Sequence, residues 1–175
     1  MESRISVVYS WLDDTSFCAT HVRGLTPHEA LARIGIEVFN GGDEEGEIEE
    51  GLICAHPAEG GTILSEWNGF VGTLDEVLRP LSADTVTASV FVNVNSVADF
   101  VHYADGRKIL SFDPLIPHET DNAQADYLAD RIELGLVHGN AEGGLAAARR
   151  LAERITGVRP NTSSHIATAH GVLEY

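Results

Sequence analysis

The sequence predicts an α+β fold in which an antiparallel sheet of about five to seven strands packs against amphipathic helices. Three observations lead to this prediction. Apolar residues recur at helical spacing in four segments. Other runs alternate β-branched with polar residues, as half-buried strands do. Short connections join several of these runs, which imposes antiparallel pairing because a parallel pair needs a long crossover.

Two of the four predicted helices begin with a capping-box sequence. Residues 26–29 read Thr-Pro-His-Glu and residues 73–76 read Thr-Leu-Asp-Glu. In each, the Thr hydroxyl and the Glu carboxylate can satisfy backbone N–H groups of the first turn. The other two helices are predicted at about 121–137 and 142–155, where apolar residues mark one face.

The clearest predicted strand covers residues 85–95. Val86, Ala88, Val90, Val92 and Val94 point one way, toward the core, and mainly polar residues point the other way: Thr85, Thr87, Ser89, Phe91, Asn93 and Asn95. Residues 100–104 and 108–113 flank Asp105-Gly106, which predicts a hairpin with a type I′ turn. A second hairpin is predicted from 52–56 and 62–67, and one more strand at 17–22.

The length of 175 residues favours one domain, which we place at residues 1–160. Residues 161–175 are rich in Thr, Ser and His and are predicted to form a weakly ordered tail. No secretory signal or membrane-spanning run is found, and only two cysteines occur, Cys18 and Cys54. We therefore expect a cytoplasmic protein whose two thiols are reduced and buried in strands.

The charge is strongly acidic. The chain has 27 Asp and Glu against 11 Lys and Arg, for a formal net charge of −16. Such a field disfavours nucleic acid and anionic membranes, since both are bound through clusters of basic residues. It would attract a basic protein partner, although an acidic surface also serves solubility alone. The composition leaves the oligomeric state open.

No catalytic set, metal-binding set or cofactor motif stands out in the sequence. The eight histidines lack metal-ligand spacing, no Gly-x-Ser-x-Gly elbow occurs, and no glycine-rich loop is placed to hold phosphate. Six acidic residues lie within residues 41–50, where they could form a cation site or a recognition loop, or only a solvated, mobile connection. A calcium loop starting at Asp43 would need Gly where Ile48 stands.

A group of polar residues on strands and at their ends forms the one candidate binding site. Asn has low strand propensity, so its repeated use in a Val-rich strand breaks a local rule, as functional sites often do. The alternative is that these Asn side chains only satisfy backbone groups of a turn. The candidate residues are Glu66, Trp67, Asn68, Asn93, Asn95, His102 and Asp113.

Four short motifs, in order, resemble an uncharacterised actinobacterial family of small acidic cytosolic proteins, a domain of unknown function. They are residues 23–29 (RGLTPHE), 66–69 (EWNG), 91–95 (FVNVN) and 105–114, from DGR to SFDP. The chain departs from the family pattern at Trp67, where Pro is frequent, and at Phe70, where Trp is frequent. The resemblance covers about residues 10–160 and implies a bacterial cytosolic protein without a known activity.

Two functional hypotheses follow. The first is a non-enzymatic acidic binding module, for example an immunity-type or regulatory protein that engages a basic protein surface. The second is a small-molecule-binding protein or enzyme with a pocket on the polar face of the sheet. No cofactor is expected under either hypothesis.

Overall fold

The computed structural model describes residues 15–38, 51–116, 127–137 and 144–173. In these ranges seven strands form one antiparallel sheet in the order β6-β5-β4-β1-β3-β2-β7. The strands are β1 (Phe17–Arg23), β2 (Leu52–Ala58), β3 (Gly61–Trp67), β4 (Val86–Val92), β5 (Ala98–Ala104), β6 (Arg107–Phe112) and β7 (Ala169–Val172). The predicted α+β class with an antiparallel sheet is confirmed.

Helices lie against both faces of the sheet. The helices are α1 (Pro27–Arg33), α2 (Asp75–Leu81), α3 (Leu128–Glu133) and α4 (Gly144–Thr156), and a 3₁₀ turn covers Val71–Thr73. Helix α4 packs on β4 and β1 from one side, called here the α4 face. Helix α1 packs on β2 and β3, and the 3₁₀ turn on β1 and β4, from the other side, called the α1 face.

The core on the α4 face is built from aromatic and aliphatic strand residues under an alanine-rich helix. Ala147, Ala148 and Ala152 of α4 are buried, and their short side chains let the helix approach the sheet closely. The larger side chains beneath it fill the layer: Phe17, Ile63, Val90, Phe100, Leu110 and Phe112. Burying each such side chain contributes about 1.5–3 kcal/mol.

The α1 face carries a second core of comparable extent. Leu31 of α1 and Leu78 and Leu81 of α2 are fully buried. They pack with strand residues that point to this side: Val22, Ile53, Ala55, Leu64, Val101 and Tyr103. Both sides of each central strand are therefore covered, so a polar residue on either side must find a partner inside the protein.

Strand β4 confirms the predicted direction of its valines but not the open polar face. Ala88, Val90 and Val92 are buried on the α4 face, as expected. Thr87 and Ser89 on the opposite side are also fully buried, because the 3₁₀ turn lies over them. The strand ends at Val92, and Val94, predicted in the core, is 71% exposed in the turn that follows.

The C-terminal segment differs from the predicted weakly ordered tail. Ala169–Val172 forms β7, which pairs with β2 in antiparallel register. The backbone N–H of Thr168 also donates to the carbonyl of Ala55. The tail was predicted from its Thr, Ser and His content alone. Composition does not reveal the strand, because β7 forms by pairing with an edge of β2 that exists only in the folded sheet.

The predicted Asp105-Gly106 hairpin is confirmed. Asp105 and Gly106 both have positive φ, 48° and 72°, as a type I′ turn requires. The turn joins β5 to β6, with a register shift between His102 and Tyr103. The predicted pairing of β2 with β3 is also present.

The two predicted capping boxes have different outcomes. At α1 the Thr26 hydroxyl accepts from the N–H of Glu29, and the Glu29 carboxylate accepts from the N–H of Thr26. At α2 the helix begins one residue later than predicted, with Leu74 as the N-cap and no side-chain cap. Thr73 instead ends the 3₁₀ turn, and its hydroxyl donates to the carbonyl of Phe70 at 2.7 Å.

The two C-terminal helices fall where the periodicity predicted them, over narrower bounds. Helix α3 covers Leu128–Glu133 of the predicted 121–137, and the first residues of that prediction lie outside the described part of the chain. Helix α4 covers Gly144–Thr156, close to the predicted 142–155.

We expect Thr26→Ala to lower the free energy of unfolding by about 1 kcal/mol, because α1 then loses its capping hydroxyl. Urea unfolding followed by circular dichroism measures this. Thr73→Ala is the matched control, since this threonine has the same sequence context but caps no helix, and its effect should be less than half as large. Equal losses in the two variants would contradict the observed caps.

Candidate functional site

The structure separates the predicted site residues instead of bringing them together. Consecutive strand residues point to opposite faces, so Glu66 lies on the α1 face and Trp67 on the α4 face. Glu66 is buried, whereas Trp67 is 56% exposed. His102 pairs with Ala88 and shares the α4 face, where it is also buried.

The three predicted asparagines lie in turns. Asn68 has a positive φ of 54°, and its Oδ1 accepts from the hydroxyl of Ser16 at 2.8 Å. The Oδ1 of Asn93 accepts from the backbone N–H groups of Asn95 and Val97, both at 3.0 Å. These bonds agree with the alternative that the asparagines in 93–95 satisfy turn backbone groups.

His102 and Asp113 are also held by local contacts. The Nδ1–H of His102 donates to the carbonyl of Thr87 at 2.8 Å, and its ring meets Tyr127 edge to face. The Oδ1 of Asp113 accepts from the N–H of Leu115, just past the end of β6. The seven residues therefore form no common pocket lining, and their binding role stays a prediction.

Glu66 is instead the centre of a buried polar cluster on the α1 face, the Glu66 cluster. Its two carboxylate oxygens accept from the backbone N–H groups of Val71 and Gly72, each at 2.8 Å. These N–H groups begin the 3₁₀ turn and have no partner within it. Beside them, the hydroxyls of Thr20 and Ser89 form a hydrogen bond of 2.9 Å. The cluster fixes the 3₁₀ turn to the sheet.

The electrostatics of this cluster favour neutral groups. Burial raises the pKa of Glu66, and the two backbone hydrogen bonds oppose that shift. Burial, and then the nearby Glu66 carboxylate, raise the pKa of Cys18 well above its usual value. Cys18 is therefore a neutral buried thiol and not an activated nucleophile.

A second polar group, missed in the sequence analysis, lies on the α4 face where β3, β2 and β7 adjoin. We call it the Ser65 cluster, and it consists of Cys54, His56, Ser65 and His170. Cys54 pairs with both Ser65 and His170 in the strand register, which places all three side chains on one face. His56 follows two residues after Cys54 on the same face. Except for the buried His56, these side chains are partly exposed.

His56 joins Ser65 to a backbone carbonyl. Its Nδ1 lies 2.8 Å from the carbonyl oxygen of Ser164, and its Nε2 lies 2.7 Å from the Ser65 hydroxyl. A carbonyl only accepts, so Nδ1 carries the proton and Nε2 is left as an acceptor in the neutral ring. Burial lowers the pKa of His56 to about 4, which keeps the ring neutral at pH 7. The Ser65 hydroxyl therefore donates to Nε2.

The other pair in the Ser65 cluster joins a thiol to an imidazole. Cys54 Sγ lies 3.3 Å from His170 Nδ1. Burial raises the pKa of Cys54, so the thiol stays protonated near neutral pH. The predicted β2–β3 hairpin contains Cys54, His56 and Ser65, so its register would have revealed three of the four residues. His170 lies in the predicted tail, so no sequence pattern placed it beside these three residues.

Several of the described basic side chains make contacts within the protein. Arg23 donates to the carbonyls of Thr156 and Ile155 at the end of α4. Arg33 donates to the carbonyls of Leu81, the last residue of α2, and Ala83. These contacts satisfy carbonyls that a helix end leaves unbonded, and they place positive charge where the helix dipole favours it.

Two further arginines are buried under the helices of the α4 face. The guanidinium of Arg131 lies 4.5 Å from the ring centre of Phe112, and that of Arg149 lies 4.4 Å from the ring centre of Phe17. Arg131 is fully buried and Arg149 nearly so. A guanidinium over an aromatic face is attracted by the ring, so both arginines act as packing residues as well as charges.

Surface ion pairs hold two more basic residues. Arg154 bridges Asp130 and Glu133, which ties α4 to α3, and Arg154 lowers the pKa of Glu133. Lys108 Nζ lies 2.7 Å from Asp75, and this bond lowers the pKa of the carboxyl, helped by the Tyr103 hydroxyl. Several basic residues are thus engaged in intramolecular contacts, and exposed side chains of both signs remain: Arg79, Arg150, Arg159, Glu37, Glu59, Glu76 and Asp84.

The described ranges are nevertheless close to neutral. They hold 13 of the 27 acidic residues and 10 of the 11 basic ones. Most of the net charge of −16 therefore comes from the remaining residues, above all the acidic run at 41–50, which lies outside the described part of the chain. Among the described residues, no group of three or more His, Cys, Asp or Glu is arranged to hold a metal ion. The helices described are all too short or too polar to cross a membrane.

We expect Gly72→Ala to lower the free energy of unfolding by about 2 kcal/mol, because the added Cβ overpacks the Glu66 cluster. That atom would meet Thr20 Oγ1 at 2.2 Å and Cys18 Sγ at 2.8 Å. Urea unfolding measures the loss. Thr20→Ala removes the closest contact, so the double variant should lose less than the sum of the two single losses. Additive losses would show that the contact between the added Cβ and Thr20 is not what destabilises the Gly72→Ala variant.

Acid should destabilise the fold through its buried histidines. Burial lowers the pKa of both His21 and His56 from 6.5 to about 4. Between these values the unfolded chain takes up protons that the native protein does not, so stability falls as pH decreases through this window. The slope is about 1.4 kcal/mol per pH unit for each histidine.

Urea unfolding at pH 6.5, 6.0, 5.5 and 5.0 tests this expectation. His56→Gln should reduce the slope by about 1.4 kcal/mol per pH unit, since one buried histidine no longer titrates. His28→Gln is the control, because it makes the same substitution at an exposed position of α1 and so isolates the effect of the buried position. An unchanged slope in His56→Gln would mean that His56 is protonated in the native protein.

The comparisons with known proteins give one match. No curated protein and no solved structure matches the chain. A family model described as a family of unknown function, DUF6461, matches residues 6–171. That range includes β1 to β6 in full and β7 except for Val172, together with the Glu66 cluster and the four residues of the Ser65 cluster. The chain therefore belongs to the DUF6461 family.

Proposed function

We propose that the protein acts by binding a basic protein through its carboxylates, as an immunity-type or regulatory protein of an actinobacterial cytoplasm would. The observation that carries this proposal is the uneven use of charge. The chain carries 27 Asp and Glu against 11 Lys and Arg, and several of the described basic side chains are engaged in contacts within the protein. An acidic field of this size accelerates encounter with a basic protein and disfavours nucleic acid.

Three of the described arginines help to hold the fold together. Arg23, Arg33 and Arg149 each make contacts with helix ends or with the core. The proposal rests on the acidic excess of the whole chain, most of which lies outside the described ranges.

The salt dependence of binding tests the proposal. The protein is immobilised, a partner is captured from a lysate of the source bacterium at low salt, and its association rate is measured at rising salt. We expect the rate to fall at least tenfold between about 20 mM and 150 mM salt, because the Debye length shortens over this range. A partner whose association rate does not change with salt would overturn the proposal.

Variants in which acidic residues are neutralised test which residues cause the salt dependence of association. Replacing Asp43, Glu44, Glu45 and Glu47 by their amides should slow association at low salt and flatten its salt dependence. Thr162→Gln with Thr168→Gln is the control, because it changes two exposed neutral residues without altering charge. If the control slows association as much as the neutralised variant, surface charge is not what binds the partner.

A further inference from the structure

The Ser65 cluster has the geometry of an activated hydroxyl. The Ser65 hydroxyl lies 2.7 Å from Nε2 of His56, and Nδ1 of the same ring lies 2.8 Å from the carbonyl oxygen of Ser164. A nucleophile, a base and a group that orients the base are the parts that acyl-transfer sites share on unrelated folds. Here a backbone carbonyl takes the orienting place that a carboxylate has in the Ser-His-Asp arrangement.

The ring of His56 is rigidly held for this purpose. It is buried on β2, and its Nδ1–H is committed to Ser164. The hydroxyl of Ser164 in turn donates to the carbonyl of Pro57 at 2.7 Å and accepts from the N–H of Asn161 at 2.9 Å. The segment that supplies the orienting carbonyl is therefore fixed to β2. Nε2 can point only at Ser65 while these bonds persist.

Ser65 is reachable from solvent, unlike the buried hydroxyls of the Glu66 cluster. Its side chain is partly exposed, and the exposed Trp67 follows it on the same face. Cys54 and His170, paired beside it across β2 and β7, are partly exposed as well. A serine that served only to satisfy a buried histidine would not need an open side, whereas a nucleophile does.

We propose that Ser65 is the nucleophile of an acyl-transfer site that accepts small uncharged or cationic carboxylic esters, with His56 as its general base. The substrate class follows from the surroundings: Trp67 offers an apolar surface, and the net charge of −16 disfavours anionic esters. This site is separate from the carboxylates of the proposed function, so an experiment can refute either proposal without refuting the other.

The reaction balances with water as the second reactant. Ser65 Oγ bonds to the ester carbonyl carbon while its proton passes to His56 Nε2, and the Ser164 carbonyl holds the resulting imidazolium at Nδ1–H. The bond to the alcohol oxygen breaks, and the alcohol leaves with the proton from Nε2. Water then adds to the acyl-Ser65 ester by the same proton transfers, which releases the carboxylic acid and restores the hydroxyl.

Ser65 is favoured over Cys54 as the attacking atom. The Cys54 thiol is held in its protonated form by burial, and a thiol without its charge is a poor nucleophile. His56 also bonds directly to Ser65, whereas no such bond joins it to Cys54 among the described contacts. The two atoms can be separated by substitution because they lie on different strands.

Labelling with an uncharged fluorophosphonate tests the proposal on the full chain. Wild-type protein should gain the phosphonyl mass on the peptide that contains Ser65, and Ser65→Ala should lose at least nine tenths of the label. Ser111→Ala is the control and should label as wild type does, because Ser111 is a partly buried serine of β6 that bonds to Asp99. Unlabelled wild-type protein, or equal labelling of Ser65→Ala, would overturn the proposal.

The rate of p-nitrophenyl acetate hydrolysis tests the role of His56 as general base independently of the labelling experiment. His56→Gln should lower the rate at least tenfold in protein that circular dichroism shows to be folded. After subtraction of the hydroxide reaction, the wild-type rate should be flat from pH 6 to pH 8, because His56 is neutral throughout this range. A rate that rises with a midpoint near pH 6.5 would assign the base to another histidine and overturn the role of His56.

Discussion

The structure depends on one constraint: helices cover both faces of the sheet, so the polar side chains of the central strands must be satisfied inside the protein. Thr20 and Ser89 bond to each other between β1 and β4, and Glu66 bonds to the 3₁₀ turn above them. An unsatisfied group in such a layer costs about 1–3 kcal/mol. These groups are therefore matched to partners on neighbouring elements, while the buried hydroxyl of Thr87 on β4 has no hydrogen-bond partner among the described residues.

The same constraint explains where the positive charge is. Buried Arg131 and Arg149 lie over phenylalanine rings of the α4 face, and Arg23 and Arg33 satisfy carbonyls at helix ends. An arginine placed in this way contributes its long apolar stem to packing and its charged head to hydrogen bonds. Acidic residues have comparable roles: Glu66 bonds to the 3₁₀ turn, and Asp130 and Glu133 pair with Arg154. The described ranges are close to neutral, so most of the net charge of −16 comes from the remaining residues.

The Ser65 cluster occupies the part of the α4 face that helix α4 does not cover. That helix packs on β4 and β1, and the polar residues of the face lie toward β2 and β7. His56 is satisfied on both sides of its ring, so the cluster is compatible with a stable fold. Its proposed chemistry needs only the partial exposure of Ser65. Binding through surface carboxylates and acyl transfer at Ser65 would use different regions of the same domain.

The sequence by itself determined the elements, because hydrophobic period and turn chemistry are local properties. It predicted the α+β class, the Asp105-Gly106 hairpin, the α1 capping box and the buried side of β4, and all of these are confirmed. Only the tertiary structure decided what covers each face. It buried Thr87 and Ser89, paired the supposed tail with β2, and separated Glu66 from Trp67 and His102. These outcomes depend on contacts between residues far apart in the chain, which the alternation along a single strand does not encode.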